Sequence, residues 1–351
     1  MNKIILFCLI NIFISTVGNT QCTVCYKLQD ALIDPSTVRE LNLSGEGLTN
    51  VPVEIATMLN LEELDLSNNQ ILEFSFPSGT FPKLRTLNLS NNLGFSTFSF
   101  DEKFLENCVL EELNLSSCGI RNINPKIGAV KELKTILLKN NQIYNVPNSL
   151  SDAKKISKID LANNQLKRSR AIFANFWNLE VLDISGNDQL DLEVVFLSLL
   201  FKDKLHTLSV TPSGMKDILG ESFNQLPIQV LTIKDATFEN FDSQFKKNGT
   251  IKELNFVNCL FLKPSAIYGT LKSLSNLEKM DYNGTPVTKD IKELDQLKTL
   301  KIVNSPIEKD VELQDLKKLE SLDLTESSMN KDLQEKLVEG VSTDIGVIDL
   351  H

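Results

Sequence analysis

Apolar and polar positions alternate over short stretches of this chain and then give way to turn residues. In LEELDLSNNQI (61–71) the apolar set is Leu61, Leu64, Leu66 and Ile71, and two asparagines follow the alternation. A period of two over so few residues predicts a short strand with one wet face. Nearly the same spelling returns as LKTILLKNNQI at 133 and ISKIDLANNQL at 156. Written as L-x-x-L-x-L-x-x-N-x-L, the pattern fits at thirteen places: 38, 61, 84, 110, 133, 156, 179, 205, 228, 251, 277, 297 and 319. The sequence IGVIDL at 345 begins a fourteenth, and successive starts lie 20 to 26 residues apart, most often 23. One such unit cannot hide its own leucines, each contributing roughly 1.5–3 kcal/mol when fully buried. They must be covered by the units before and after, so the strands stack into one parallel sheet. The bulkier back halves, with Phe173, Phe176, Phe223 and Phe241, should force that stack to curve.

Spacing sustained over so many units resembles the leucine-rich repeat family across residues 38–350. Units of 23 residues, with NVPVEI and NVPNSL after the motif, resemble the typical class of that family, which carries a Pro there. The resemblance implies an α/β solenoid, a leucine-rich repeat horseshoe with a parallel β-sheet on its concave face. On this reading 38–351 is the solenoid, about thirteen units plus an incomplete last strand. The ninth position of each unit is a structural ladder, occupied by Asn69, Asn92, Asn141, Asn164 and Asn187. An amide there accepts and donates at once, satisfying backbone groups that the turn would otherwise bury unpaired. Cys118 and Cys259 fill the same slot, too many units apart to bond each other. Ser213, Thr285, Ser305 and Ser327 substitute less completely and Ala236 not at all, so the second half should be softer.

The ends are read separately. Met1-Asn2-Lys3 followed by IILFCLINIFI (4–14) and Thr16-Val17-Gly18 has the plan of a secretory signal peptide, 1–18 with cleavage near 18–20. Residues 21–37 should form an N-terminal cap, with a short helix over about Tyr26–Leu32; Cys22 and Cys25 either bond each other or pair outside the chain. NKDLQEKLVEG (330–340) reads as a helix and VIDL as a last strand, whose unpaired edge invites self-association with another chain. No other apolar run is long enough for a membrane span.

Charge then narrows the partners. The 351-residue chain has a formal net charge of −10, a surface that repels phosphate backbones and anionic lipid headgroups. That surface disfavours nucleic acid as a ligand class, whereas it tolerates a cationic partner. Two histidines, one of them the terminal His351, leave no Ser-His-Asp or Cys-His pair, and no phosphate loop or dinucleotide fingerprint occurs. The expectation is no catalysis, no cofactor and no metal.

The surface best suited to binding is the concave strand face, whose side chains form a regular array. The partner-binding candidates form the fifth position of each unit: Asp65, Leu137, Asp160, Asp183, Ser209, Thr232, Asn255, Asp281, Lys301 and Asp323. This column is acidic and suits a basic peptide, a cationic ligand or a polyol such as a glycan; equally, its Asp residues are simply solvated. Glycosylation candidates are Asn42, Asn88 and Asn114 (NLS) on that column, with Asn248 and Asn283 (NGT) elsewhere. Occupied sites in the first third would push a protein ligand towards Asp160–Asp323. An insertion carrying Phe95, Phe98, Phe100 and Phe104 is expected to pack on the back. The function expected is an extracellular recognition module for a protein, peptide or glycan. The alternative is a structural component of a wall, coat or extracellular matrix assembling through its edges.

Overall fold

The computed structural model describes residues 22–77, 79–94, 105, 108–167, 173–214, 218–241, 245–325 and 348–349. Among these, fifteen strands form one parallel sheet, in which each strand lies beside its sequence neighbours. The first is a cap strand, Val24–Cys25; thirteen follow from the repeats, Glu40–Asn42 through Ser321–Asp323; the last is Ile348–Asp349. The fold is the expected horseshoe solenoid.

Register explains why one leucine pattern suffices. Leu41, Leu64, Leu87, Leu113, Ile136, Ile159 and Leu182 are successive Cα partners across the sheet, so the fourth position of each unit packs on its own kind. All are buried, and with Leu61, Leu66, Ile71 and their equivalents they make one continuous core. In the second half this core turns aromatic. Phe241 stacks on Phe245 at 4.3 Å, Phe223 lies 5.8 Å from Phe245, and Phe256 lies 5.8 Å from Tyr282. Phe173, Phe176, Phe223 and Phe241 are all buried in the back halves, as their bulk suggests.

The two asparagines of NNQ do different work. The first adopts a left-handed backbone, at Asn68, Asn91, Asn140 and Asn163, with φ between 54° and 59°. Asn is one of the few side-chain-bearing residues that visit this region readily, and Gly186 and Gly284 take the same slot. The second is the ladder residue. Asn141 Oδ1 accepts from the Cys118 and Ile120 amides, both at 3.0 Å, while its Nδ2 donates to the Leu115 and Leu138 carbonyls at 2.9 and 2.8 Å. Asn69, Asn92, Asn164 and Asn187 bond in the same manner. Cys118 and Cys259 replace the amide with a thiol near a carbonyl one unit back, Leu89 O at 3.1 Å and Ile233 O at 3.3 Å.

The looser units are repaired differently from the sequence expectation. Ser213 is exposed and takes no place in the ladder; Thr211, two residues earlier, accepts the Gly186 amide at 2.9 Å. Thr285 and Ser305 do enter it, Thr285 accepting from the Cys259 amide and Ser305 from the Thr285 amide. Strands here also lengthen: Val230–Lys234, Glu253–Val257, Lys279–Asn283 and Thr299–Val303 each have five residues, against three for most earlier ones. Extra strand pairing thus offsets the thinner side-chain ladder.

At the N-terminal end a Cys22–Cys25 disulfide closes a tight turn, and the helix Leu28–Ala31 buries Ala31 over the first unit. Ser327, the 330–340 segment and the four phenylalanines at 95, 98, 100 and 104 lie outside the described residues, as does the leader sequence.

Candidate functional site

The open face of the sheet brings the fifth-position residues into a single column. Asn42, Asp65, Asn88, Asn114, Leu137, Asp160 and Asp183 are successive Cα partners, and the row continues through Ser209, Thr232, Asn255, Asp281, Lys301 and Asp323. Most are half-buried and Lys301 is exposed.

Their chemistry departs from a row of solvated carboxylates. Asp65 Oδ1 accepts the Ser67 amide at 2.8 Å; Asp160, Asp183 and Asp323 accept the amides of Ala162, Ser185 and Thr325 at 2.9, 3.0 and 3.0 Å. Asn42, Asn88 and Asn114 do the same for Ser44, Ser90 and Ser116. Each is a side chain capping its own backbone two residues on, an Asx turn that ends a three-residue strand. This structural need explains the Asp/Asn preference at the position. Sequence reasoning missed it, although the recurring (D/N)-L-S triplet was its signal.

Two members lack that partner. Asn255 and Asp281 sit in the five-residue strands, where the residue two positions on is itself paired in the sheet. Their Oδ1 atoms are buried without a hydrogen bond. Burial, outweighing the nearby Lys301, raises the Asp281 carboxyl above the usual range, with Asp323 and Glu253 adding to it. Burial also raises Asp160, and Asp183 beside it pushes the same way against the Ala162 amide. Asp183 itself is paired: Lys234 Nζ lies 2.7 Å from its Oδ2. Lys301 lies 3.4 Å from Asp323, which, against the effect of burial, the Thr325 hydroxyl and amide hold below the usual range. Of the two readings of this column, simple solvation does not describe Asp160, Asp183, Asp281 or Asp323.

The neighbouring columns differ sharply. At the second position charges alternate and neutralise one another: Arg39 with Glu62, Arg85 with Glu111 at 2.9 Å, Lys134 with Glu111 at 2.5 Å. The Lys134 ammonium accordingly lowers the Glu111 carboxyl. At the third position Glu40, Glu63 and Glu112 share a column with Thr86 and Thr135, and none is in an ion pair among the described residues. They line a shallow cavity of about 250 Å³ with Asp65 and Tyr26.

Of the sequon asparagines, Asn248 has a buried Nδ2 and is 5% exposed, so the folded chain offers no room for a glycan there. Asn42, Asn88, Asn114 and Asn283 are half-exposed. Among the described residues there is no cluster of three or more His, Cys, Asp or Glu able to hold a metal, and no helix is long and apolar enough to cross a membrane.

This geometry defines a class: a repeat solenoid with one continuous open strand face. A profile for "Leucine Rich repeats (2 copies)" matches residues 59–100. The chain is 27% identical over 258 residues to "Adenylate cyclase" of Schizosaccharomyces pombe, covering 72% of this chain and 14% of that protein. It is 29% identical over 253 residues to "Receptor-like protein 18" of Arabidopsis thaliana, covering 70% of this chain and 28% of that one. The structure of an internalin (InlF) from Listeria monocytogenes superposes with a TM-score of 0.56 at 18% identity, over 90% of this chain and 88% of the internalin, a likeness of fold. The chain belongs to the leucine-rich repeat family. It spans under a third of the length of either curated relative, and the fold is one that typically binds proteins and lacks catalytic activity.

Proposed function

We propose that this chain is an extracellular, non-enzymatic recognition module that docks a protein, peptide or glycan on its concave face. The observation behind the proposal is the open face itself: adjacent strands hold their outward side chains in fixed register, several by hydrogen bonds to their own backbone. Such an array loses little freedom when a ligand docks, so contact energy is not consumed in ordering it. The Cys22–Cys25 disulfide supports an oxidising compartment, and similarity to a receptor-like protein is consistent with it. The test is a double variant, Leu137→Arg with Ser209→Arg, placing bulk on the open face without touching the core. Capture of a partner from extracellular fluid by the wild-type chain, abolished in a variant of unchanged thermal midpoint, is expected. Capture that survives both substitutions overturns the concave-face reading.

The structural-component reading has one observation of its own. The sheet ends at Ile348–Asp349, which pairs only with Ser321–Asp323 among the described residues. Assembly through that edge would appear as concentration-dependent mass in sedimentation without any ligand; a constant monomer removes it.

A further inference from the structure

Resting on the concave-face reading, we propose that the open face of the first four units is a docking groove for a lysine- and arginine-rich peptide segment of a partner protein. Glu40, Glu63, Asp65 and Glu112 form its anionic floor and Tyr26 its end wall.

The acidity of this chain looks evenly spread in sequence, but the folded molecule distributes it unequally. Towards the C-terminal half, Lys234 answers Asp183 and Lys301 answers Asp323. On the flank, Arg39, Arg85 and Lys134 are already engaged by Glu62 and Glu111. Only Glu40, Glu63 and Glu112 lie together in one column without a cationic partner among the described residues, and Asp65, whose Oδ1 accepts the Ser67 amide, lines the same cavity in no ion pair among those residues. Among the described residues no Lys or Arg lines that cavity; Arg85 and Lys134, which line the adjoining one beside Glu63 and Glu112, are held by Glu111. Clustered like charges repel one another, and a bound cation relieves that repulsion, which gives the groove a preference by sign.

The groove's end carries a second feature fitted to the same ligand. Tyr26 is 68% exposed and lines the cavity, although an aromatic ring ordinarily seeks burial. A ring face there can stack on a guanidinium or ammonium group, a contact available to a cation and denied to an anion. From Glu40 to Glu112 is three strand spacings, about 14 Å at ~4.8 Å each. An extended segment of four or five residues covers that distance at ~3.3 Å per residue. Asn42, Asn88 and Asn114 line the same groove, so a glycan on any of them would compete with the peptide.

The test uses the full chain and a fluorescein-labelled peptide, Gly-Arg-Arg-Ser-Arg-Arg-Gly, followed by fluorescence polarisation at low and high salt. Binding that weakens with salt is expected. The triple variant Glu40→Gln, Glu63→Gln and Glu112→Gln should lose about tenfold in affinity, and Tyr26→Ala two- to fivefold. A matched triple, Glu253→Gln, Asp281→Asn and Asp323→Asn, removes the same charge from the other end and should change affinity less than twofold. Equal loss in both triples, or no binding by the wild-type chain, overturns the groove. Loss only in the second triple moves the site along a concave face that still recognises. Retention in both removes the concave face altogether. Should the first triple fold poorly, carbodiimide coupling of a lysine version of the peptide to the wild-type chain decides: crosslinks at Glu40, Glu63 or Glu112 are expected, and crosslinks only elsewhere overturn the proposal.

Discussion

Replacing Asn141 with alanine isolates the force that holds successive units together. Its amide, 8% exposed, serves the Cys118 and Ile120 amides and the Leu115, Leu138 and Lys139 carbonyls. Two of those carbonyls keep other partners, since Asn164 Nδ2 still reaches Leu138 O and the Ser117 amide still reaches Lys139 O. Asn141→Ala therefore orphans three buried backbone groups: two N–H donors and the Leu115 carbonyl. At about 1–3 kcal/mol for each buried group left unpaired, and with a water recovering part of the loss, the expected cost is roughly 4 kcal/mol. The adjacent Asn140 supplies the control. It is exposed and left-handed, so Asn140→Gly should cost under about 0.5 kcal/mol. Urea unfolding gives the global difference, and amide exchange at Cys118 and Ile120 gives the local one, which matters because a repeat array need not unfold all at once. A cost below about 1 kcal/mol for Asn141→Ala, or one matched by Asn140→Gly, would refute the reasoning.

Three other outcomes follow from the same structure. Burial lifts the Cys118 and Cys259 thiols to about 11, so at pH 8 a thiol reagent should leave both unmodified in the native chain and label them only on unfolding; labelling of the folded chain refutes their placement. The raised carboxyl of Asp281 means the folded state holds its proton more tightly than the unfolded chain, so this group costs stability increasingly as pH climbs from its unfolded value through its folded one. Asp281→Asn, which also offers a donor towards Asn255, should raise the neutral-pH unfolding free energy by an amount on the order of 1 kcal/mol and lose that advantage in acid; an equal effect at pH 3 and pH 7 counts against it. In hydrogen exchange, the strand amides of Leu231–Ile233 should be as protected as those of the first units, and weakness should appear only in the turn that follows, near Ala236; uniformly fast exchange across the second half would restore the simpler expectation of a softer half.

Much of the fold was legible because its forces repeat. Leu64 and its equivalents fall at the same place in each unit, and only stacking hides them, so pattern alone led to one parallel sheet. The ninth-position amides were legible for the same reason. Ser213 was not, since a hydroxyl at the right spacing looks interchangeable until the fold leaves it exposed beyond the buried Pro212. The first asparagine of each pair was also passed over, because a left-handed backbone leaves no mark in hydropathy. Lengthened strands after residue 230 depend on neighbouring units agreeing to pair further, a cooperative property no single unit spells.

The candidate site was less legible because one column serves two masters. At the fifth position Asp and Asn recur chiefly to cap their own backbone, and a residue already committed to Ser67, Ala162 or Ser185 has one oxygen fewer to offer a ligand. Members that depart from the consensus carry no such commitment: Leu137, Ser209, Thr232 and Lys301 have no such turn to make, and Asn255 and Asp281 have lost theirs to a longer strand. The same logic applied two positions earlier singles out Glu40, Glu63 and Glu112, which no backbone group or cation engages among the described residues. In a repeat protein, conformity to the template therefore identifies what the fold needs. Residues that are unpaired where their neighbours are paired are the ones left available for a partner.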